Sequence, residues 1–163
     1  MSLVVADTGP LRYLVVIQAI ECLPTLFARV IVPPAVVSEL THPRAPVAAR
    51  QWAQGLPSWL EVQRPNRAHQ ADLLDPGEAE AIGLALQLQA MVLLDEREAR
   101  REAVQLGLSV MGTVGILERA AERGLLDLEA AFARLTATNY RIDRGYLDEA
   151  LQRSRQRPRP LNP

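Results

Sequence analysis

Leu3-Val4-Val5-Ala6-Asp7-Thr8-Gly9-Pro10 opens the chain with a short apolar run, an acid and a glycine-proline turn. The pattern returns at Met91-Val92-Leu93-Leu94, which ends at Asp95, and at Ser109-Val110-Met111, which ends at Gly112-Thr113. Apolar strands that run straight into helix starts build parallel sheets with both faces covered, and ligands of such sheets sit beyond the carboxyl ends of the strands. The expected fold is therefore three-layer α/β/α around a central, mostly parallel sheet. Asp7 and Asp95 should then share one edge.

Working outward, Pro10 suits a first helical turn, and Leu11, Leu14, Val15 and Ile17 continue as an apolar stripe. A short helix near residues 23–28 precedes a strand at 30–32, which Pro33-Pro34 stops before a helix over 35–40. Residues 47–54 read as a helix closed by Gly55, residues 59–62 as a short edge strand, and residues 64–70 as a polar linker. Asp75-Pro76-Gly77-Glu78 is a helix start, with Asp75 as cap and Pro76 in the first turn. That helix runs to about residue 89. After the strand at 91–94 come a charged helix over 96–106, a strand at 108–111 and helices over 113–123, 127–137 and 143–153.

The chain has 163 residues and a net charge of -1, enough to bury one core without disulfides. One domain over residues 1–150 is expected, followed by a disordered Arg/Pro-rich tail over 151–163. All 18 basic residues are arginine, and Arg153, Arg155, Arg157 and Arg159 fall in that tail, either solvated or available to phosphates. The single cysteine, Cys22, excludes an internal disulfide and reads as a buried apolar residue. No apolar run reaches the roughly 18 residues of a membrane span, and no secretory signal opens the chain, so a cytoplasmic location is expected. His42 and His69 lie far apart in polar stretches, without zinc-ligand spacing.

The chemistry rests on acids. Asp7 and Asp95 at the sheet edge, with Glu39 and Glu78 from helices, form a set suited to hard divalent cations, which points to metal-dependent phosphodiester hydrolysis. Each acid also has a plain structural reading: Asp7 and Asp95 as helix caps, Glu39 as a solvated helical residue, Glu78 at the positive end of a helix dipole. Glu80 and Glu96 are second choices. Glu78 and Glu80 are two apart and cannot share a helical face.

Taken together, these segments resemble the PIN domain, in the branch related to VapC-type toxin nucleases. Val5-Ala6-Asp7-Thr8-Gly9-Pro10-Leu11 is similar to that family's first acidic motif, and Val32-Pro33-Pro34-Ala35-Val36-Val37-Ser38-Glu39-Leu40 to its second. Leu74-Asp75-Pro76-Gly77-Glu78-Ala79-Glu80-Ala81-Ile82 is similar to the third, and Leu93-Leu94-Asp95-Glu96-Arg97-Glu98-Ala99-Arg100 to the fourth. Gly112-Thr113-Val114-Gly115-Ile116-Leu117 continues the pattern, so the resemblance spans about residues 3–126. Many toxin members carry aspartate at the third position and a later Thr-x-Asp signature. This chain has neither.

The resemblance implies a ribonuclease that uses Mg²⁺ or Mn²⁺, with Asp7 and Asp95 as direct ligands. Glu39 and Glu78 would ligate or hold waters, Thr113 would orient a ligand or cap its helix, and Arg97 and Arg100 would hold RNA phosphates or pair on the surface. It further implies an antitoxin partner and a homodimer, to which the apolar stretch from Gly112 to Leu128 adds its own argument. Two other readings use the same pattern: a non-catalytic adaptor with a degenerate acidic site, and a phosphate-accepting signalling domain. The second needs an acidic pair after the first strand and a late lysine, and the chain lacks both.

Overall fold

Val4, Val5 and Ala6 of the first strand, β1 (Leu3–Ala6), are fully buried, as a strand covered on both faces requires. In the structure, a computed structural model describing residues 2–158, β1 is the middle of a five-stranded sheet. The other strands are β2 (Arg29–Val32), β3 (Leu60–Val62), β4 (Met91–Leu93) and β5 (Val110–Met111), in the order β3-β2-β1-β4-β5. Every pairing is parallel, with Val5 opposite Ile31 on one side and Ala6 opposite Leu93 on the other. The chain builds outward from β1 to β3, then returns to place β4 on the opposite flank. The crevice between β1 and β4 is thus a topological switch point, where parallel sheets hold their ligands.

Helices α1 (Thr8–Val16), α2 (Leu23–Leu26), α3 (Pro34–Leu40), α4 (Val47–Gln54), α5 (Pro76–Leu88) and α6 (Arg97–Gln105) join the strands. Val5, Ile31 and Val92 pack on one sheet face with Ala81, Ile82 and Ala85 of α5 and Ala99 and Ala103 of α6. Alternation along the strands sends Val4, Ala6, Val30, Val32 and Leu93 to the other face, where all five are buried as well. Both layers over the sheet are therefore filled. Pro34 and Pro76 stand in the first turns of their helices, as the sequence requires, and β3 is an edge strand.

The polar segment at 64–70 is no free linker. It lies on α5 at Gly83, where an added Cβ would stand 3.0 Å from Ala68 Cα and closer still to the Arg67 carbonyl oxygen. The His69 N–H donates to the Ala79 carbonyl at 2.9 Å, the Asn66 N–H to Gln87 Oε1 at 2.8 Å, and His69 pairs with Glu102 at 2.8 Å. This strap delivers Asp75. Gly83→Ala meets backbone on the facing segment, and overpacking of this kind costs about 1–3 kcal/mol. Thermal denaturation should show a lower Tm, and an unchanged Tm would mean the strap is loosely held.

Contacts divide the chain after Thr113 into two compact units. The second unit holds most of α7 (Thr113–Glu122), together with α8 (Leu128–Thr136) and α9 (Arg144–Gln156). Val114, Ile116, Leu117 and Leu128 are buried, which leaves Leu125, at 40 % exposure, as the large apolar surface residue of the 112–128 stretch. The tail expected to be disordered from 151 is helical through Gln156. Asp143 caps α9, and Arg153, Arg155 and Arg157 pair with Glu118, Glu129 and Glu122. Arg159 and the rest of that tail lie outside the described residues. No helix of the described residues is long and apolar enough to cross a membrane.

Candidate metal centre

Asp7 follows β1 directly, and its N–H donates to the Leu93 carbonyl of β4 at 3.0 Å, which sets it over the switch point. Its side chain makes no capping hydrogen bond to α1, so the cap reading of Asp7 does not hold. Asp7 is 5 % exposed, and its Oδ1 is buried without a hydrogen-bond partner among the described residues. Burial drives the Asp7 carboxyl well above the usual aspartate range, against a partial offset from the Thr8 N–H. The charges of Asp75, Glu78 and Glu39 push it the same way. A buried, orphaned carboxylate oxygen facing other carboxylates favours uptake of a proton or a cation.

Glu39 enters from the last turn of α3. Its Oε2 accepts the Thr8 hydroxyl and its Oε1 accepts the Gly77 N–H at 3.0 Å. Gly77 makes room for this contact, since a Cβ there would lie 2.8 Å from Glu39 Cδ. Oxygens of Asp7, Glu39 and Asp75 all fall within 4.8 Å of one another. Three carboxylates at that separation offer the oxygen donors that Mg²⁺ and Mn²⁺ take, and the unpartnered Asp7 Oδ1 supplies a vacant acceptor. The donor set fits a hard divalent ion.

Asp75 was expected only as a helix cap. It performs that task, accepting the Glu78 N–H on Oδ1 at 2.8 Å, and it also stands in the cluster. A signal for it lay in the sequence: Gly77 occupies a helical first turn where a better helix former would normally serve, and such a glycine marks close approach of another group. Thr8, which fixes Glu39, was missed as well.

Glu78 returns the Asp75 cap, its Oε2 accepting the Asp75 N–H at 3.3 Å in a capping box. It is 6 % exposed, and burial followed by the charge of Asp75 pushes its carboxyl up to about 7. Asp95 stands at the same edge but is turned onto Thr113: its oxygens accept the Thr113 N–H at 2.8 Å and the Thr113 hydroxyl at 2.6 Å. Thr113 is wholly buried and gives its hydroxyl to Asp95. Gly9 and Gly112 leave space for the Asp95 carboxylate, with Cβ positions 3.4 Å and 3.1 Å from its oxygens.

The remaining candidates divide. Glu80 accepts the Ala35 N–H at 3.2 Å, which commits it to the start of α3. Glu96 is the exposed N-cap position of α6, and its charge contributes to the raised Glu78 carboxyl. Arg100 donates to the Leu94 carbonyl at 2.9 Å, bracing the end of β4, whereas Arg97 is exposed on the first turn of α6. His42 Nδ1 accepts the Arg44 N–H at 3.1 Å, and neither histidine belongs to the acidic trio of Asp7, Glu39 and Asp75.

These shifts set a pH dependence. An acid whose carboxyl is raised in the folded state binds its proton more tightly folded than unfolded, so stability falls as pH rises between the two values. For Glu78 the window runs from 4.5 to about 7, and Asp7 and Glu39 act in the same direction. Metal-free protein should therefore lose thermal stability across that window. Millimolar Mn²⁺ should raise Tm chiefly at the upper end, where the carboxylates are ionised. A metal-free Tm that climbs through the window would contradict this electrostatic picture.

A family profile described as PIN domain matches residues 3–156. Among solved structures, a PilT N-terminus domain protein from the hyperthermophilic archaeon Sulfolobus solfataricus P2 aligns with a TM-score of 0.50 at 13 % identity. The alignment covers 86 % of this chain and 99 % of that one, a likeness of fold. No curated protein matches the chain.

Proposed function

Because the chain belongs to the PIN domain family, whose members are commonly nucleases, we propose that it is a divalent-metal-dependent endoribonuclease. The observation that carries this reading is the buried, unpartnered Asp7 Oδ1 facing Glu39 and Asp75 at the switch point of the sheet. Asp7, Glu39 and Asp75 would hold the ion, with Glu78 and Asp95 beside them to hold waters or complete the ligand set. A bound Mg²⁺ or Mn²⁺ supplies Lewis acidity, activating water and neutralising charge on the phosphodiester and its leaving oxygen.

The chain's own groups prepare that chemistry. Thr8 and Gly77 grip the two oxygens of Glu39, so its carboxylate needs little reorganisation when charge arrives. Gly77 and Pro76 hold Asp75 at the start of α5, where the capping box fixes its side chain. Thr113 orients Asp95 through two hydrogen bonds. Arg97, exposed beside Asp95, is the better placed of the two arginines for an RNA phosphate, since Arg100 already serves the Leu94 carbonyl.

The toxin of a toxin–antitoxin pair is the finer form of this proposal, supported by the motif resemblance over residues 3–126. It brings an antitoxin that covers the acidic site, and a homodimer for which the exposed Leu125 offers a contact. The test is incubation of purified protein with mixed single-stranded RNAs in Mg²⁺, Mn²⁺ or EDTA. Cleavage in either metal and none in EDTA is expected. Intact RNA under every condition, with a folded protein, would favour the adaptor reading. Light scattering at tens of micromolar tests the dimer, and a monomeric mass would remove it.

A further inference from the structure

A cleft of about 400 Å³ lies between the end of the strap and α6. Its loop wall, residues 71–74, ends one residue before Asp75, and its helix wall begins at Glu98, three residues after Asp95. The cleft is thus tied through the chain to both sides of the acidic centre. Its size falls in the range of small-ligand sites, roughly 300–1,000 Å³. Glu98, Arg101, Glu102 and Gln105 line it from one helical face at i, i+3, i+4 and i+7 spacing. Glu102 is held by His69, whereas Asp72, Glu98 and Arg101 present charge to the cleft. Leu73 on the rim keeps a large apolar side chain 75 % exposed.

We propose that this cleft takes a guanine base of the RNA close to the cleaved phosphodiester, an inference that rests on the ribonuclease reading above. Proteins read single-stranded RNA through unstacked bases, by hydrogen bonds to their edges and contact with their faces. A carboxylate offers two adjacent acceptors and needs two adjacent donors. Guanine presents them as N1–H and the N2 amino group. Adenine and cytosine place a bare ring nitrogen beside their amino group, and uracil flanks its one N–H with two carbonyls. Guanine also carries O6 and N7 acceptors, the pair that arginine recognises best. Glu98 and Arg101, one helical turn apart, supply both complements, and Leu73 covers a ring face with apolar surface.

The test is fluorescence anisotropy of the full chain in Ca²⁺ with labelled RNA pentamers that differ only in the central base: guanine, adenine, cytosine, uracil or hypoxanthine. A good bidentate pair is worth about 1–3 kcal/mol, so guanine should bind at least about fivefold more tightly than uracil. Hypoxanthine, which lacks the N2 amino group but keeps N1–H, O6 and N7, should fall between guanine and uracil. Glu98→Gln and Arg101→Ala should each collapse the guanine-to-uracil ratio, with Tm near wild type because both positions are exposed. Equal affinity for all five pentamers, or a guanine preference untouched in both variants, overturns the inference. Cleavage of the same pentamers in Mg²⁺ separates the two readings. Cutting without base preference in binding sinks the guanine cleft alone, and guanine-selective binding without cutting sinks the ribonuclease alone.

Discussion

Asp7→Asn is expected to lower metal-dependent RNA cleavage by at least about 100-fold, since groups that merely orient a metal ligand already cost 10–100-fold when removed. The substitution keeps size and shape and removes one charge from a site where burial and the neighbouring acids disfavour it. Metal-free Asp7→Asn should therefore melt several degrees above metal-free wild type at neutral pH, and the stabilisation of wild type by Mn²⁺ should shrink or vanish. The opposite signs of these effects make the test sharp. A residue serving only the fold would lose stability together with activity. Wild-type cleavage by Asp7→Asn would refute the proposed role of Asp7.

Gly77→Ala should nearly match that loss of cleavage while leaving the fold almost untouched. The new methyl would meet the Glu39 carboxylate, the far end of a flexible side chain, rather than rigid backbone. Glu39 can swing away, at the cost of the Gly77 N–H bond and its place beside Asp7 and Asp75. Alanine is otherwise the better residue for a helical turn, by roughly 1 kcal/mol over glycine. Tm should stay within a few degrees of wild type while Mn²⁺ affinity, read by calorimetry, falls at least about tenfold. Unchanged Mn²⁺ affinity would place the ion elsewhere than beside Glu39. Gly83→Ala is the contrasting case, because its methyl meets backbone and its first effect is on stability.

The sheet was legible because parallel strands buried on both faces leave near-continuous apolar runs, and each of the three clearest runs ended in an acid or a glycine turn. The prolines and Asp75 marked helix starts for reasons local to the chain, so α3 and α5 stand where the sequence placed them. What sequence could not supply was partner choice at the edge. Asp7 and Asp95 look equivalent in the chain, each after an apolar strand, yet one is buried with an orphaned oxygen and the other is turned onto Thr113. Asp75 passed as a cap because capping explains it fully at the local level, and its second role depends on Glu39, 36 positions earlier. Glu78 stands out in the chain because it directly follows the Gly77 turn, and the structure folds it into the capping box with Asp75, which itself gathers with Asp7 and Glu39. Arg153, Arg155 and Arg157 read as tail residues because their glutamate partners lie 26–35 positions earlier.

Anomalous diffraction from crystals soaked in Mn²⁺ tests the central claim most directly. A strong peak is expected among the carboxylates of Asp7, Glu39 and Asp75, within about 2.0–2.4 Å of oxygens from at least two of them. It should disappear in Asp7→Asn crystals soaked alike. No peak in that cluster at millimolar Mn²⁺, or a peak held by other residues with Asp7 Oδ1 still unpartnered, would contradict the account.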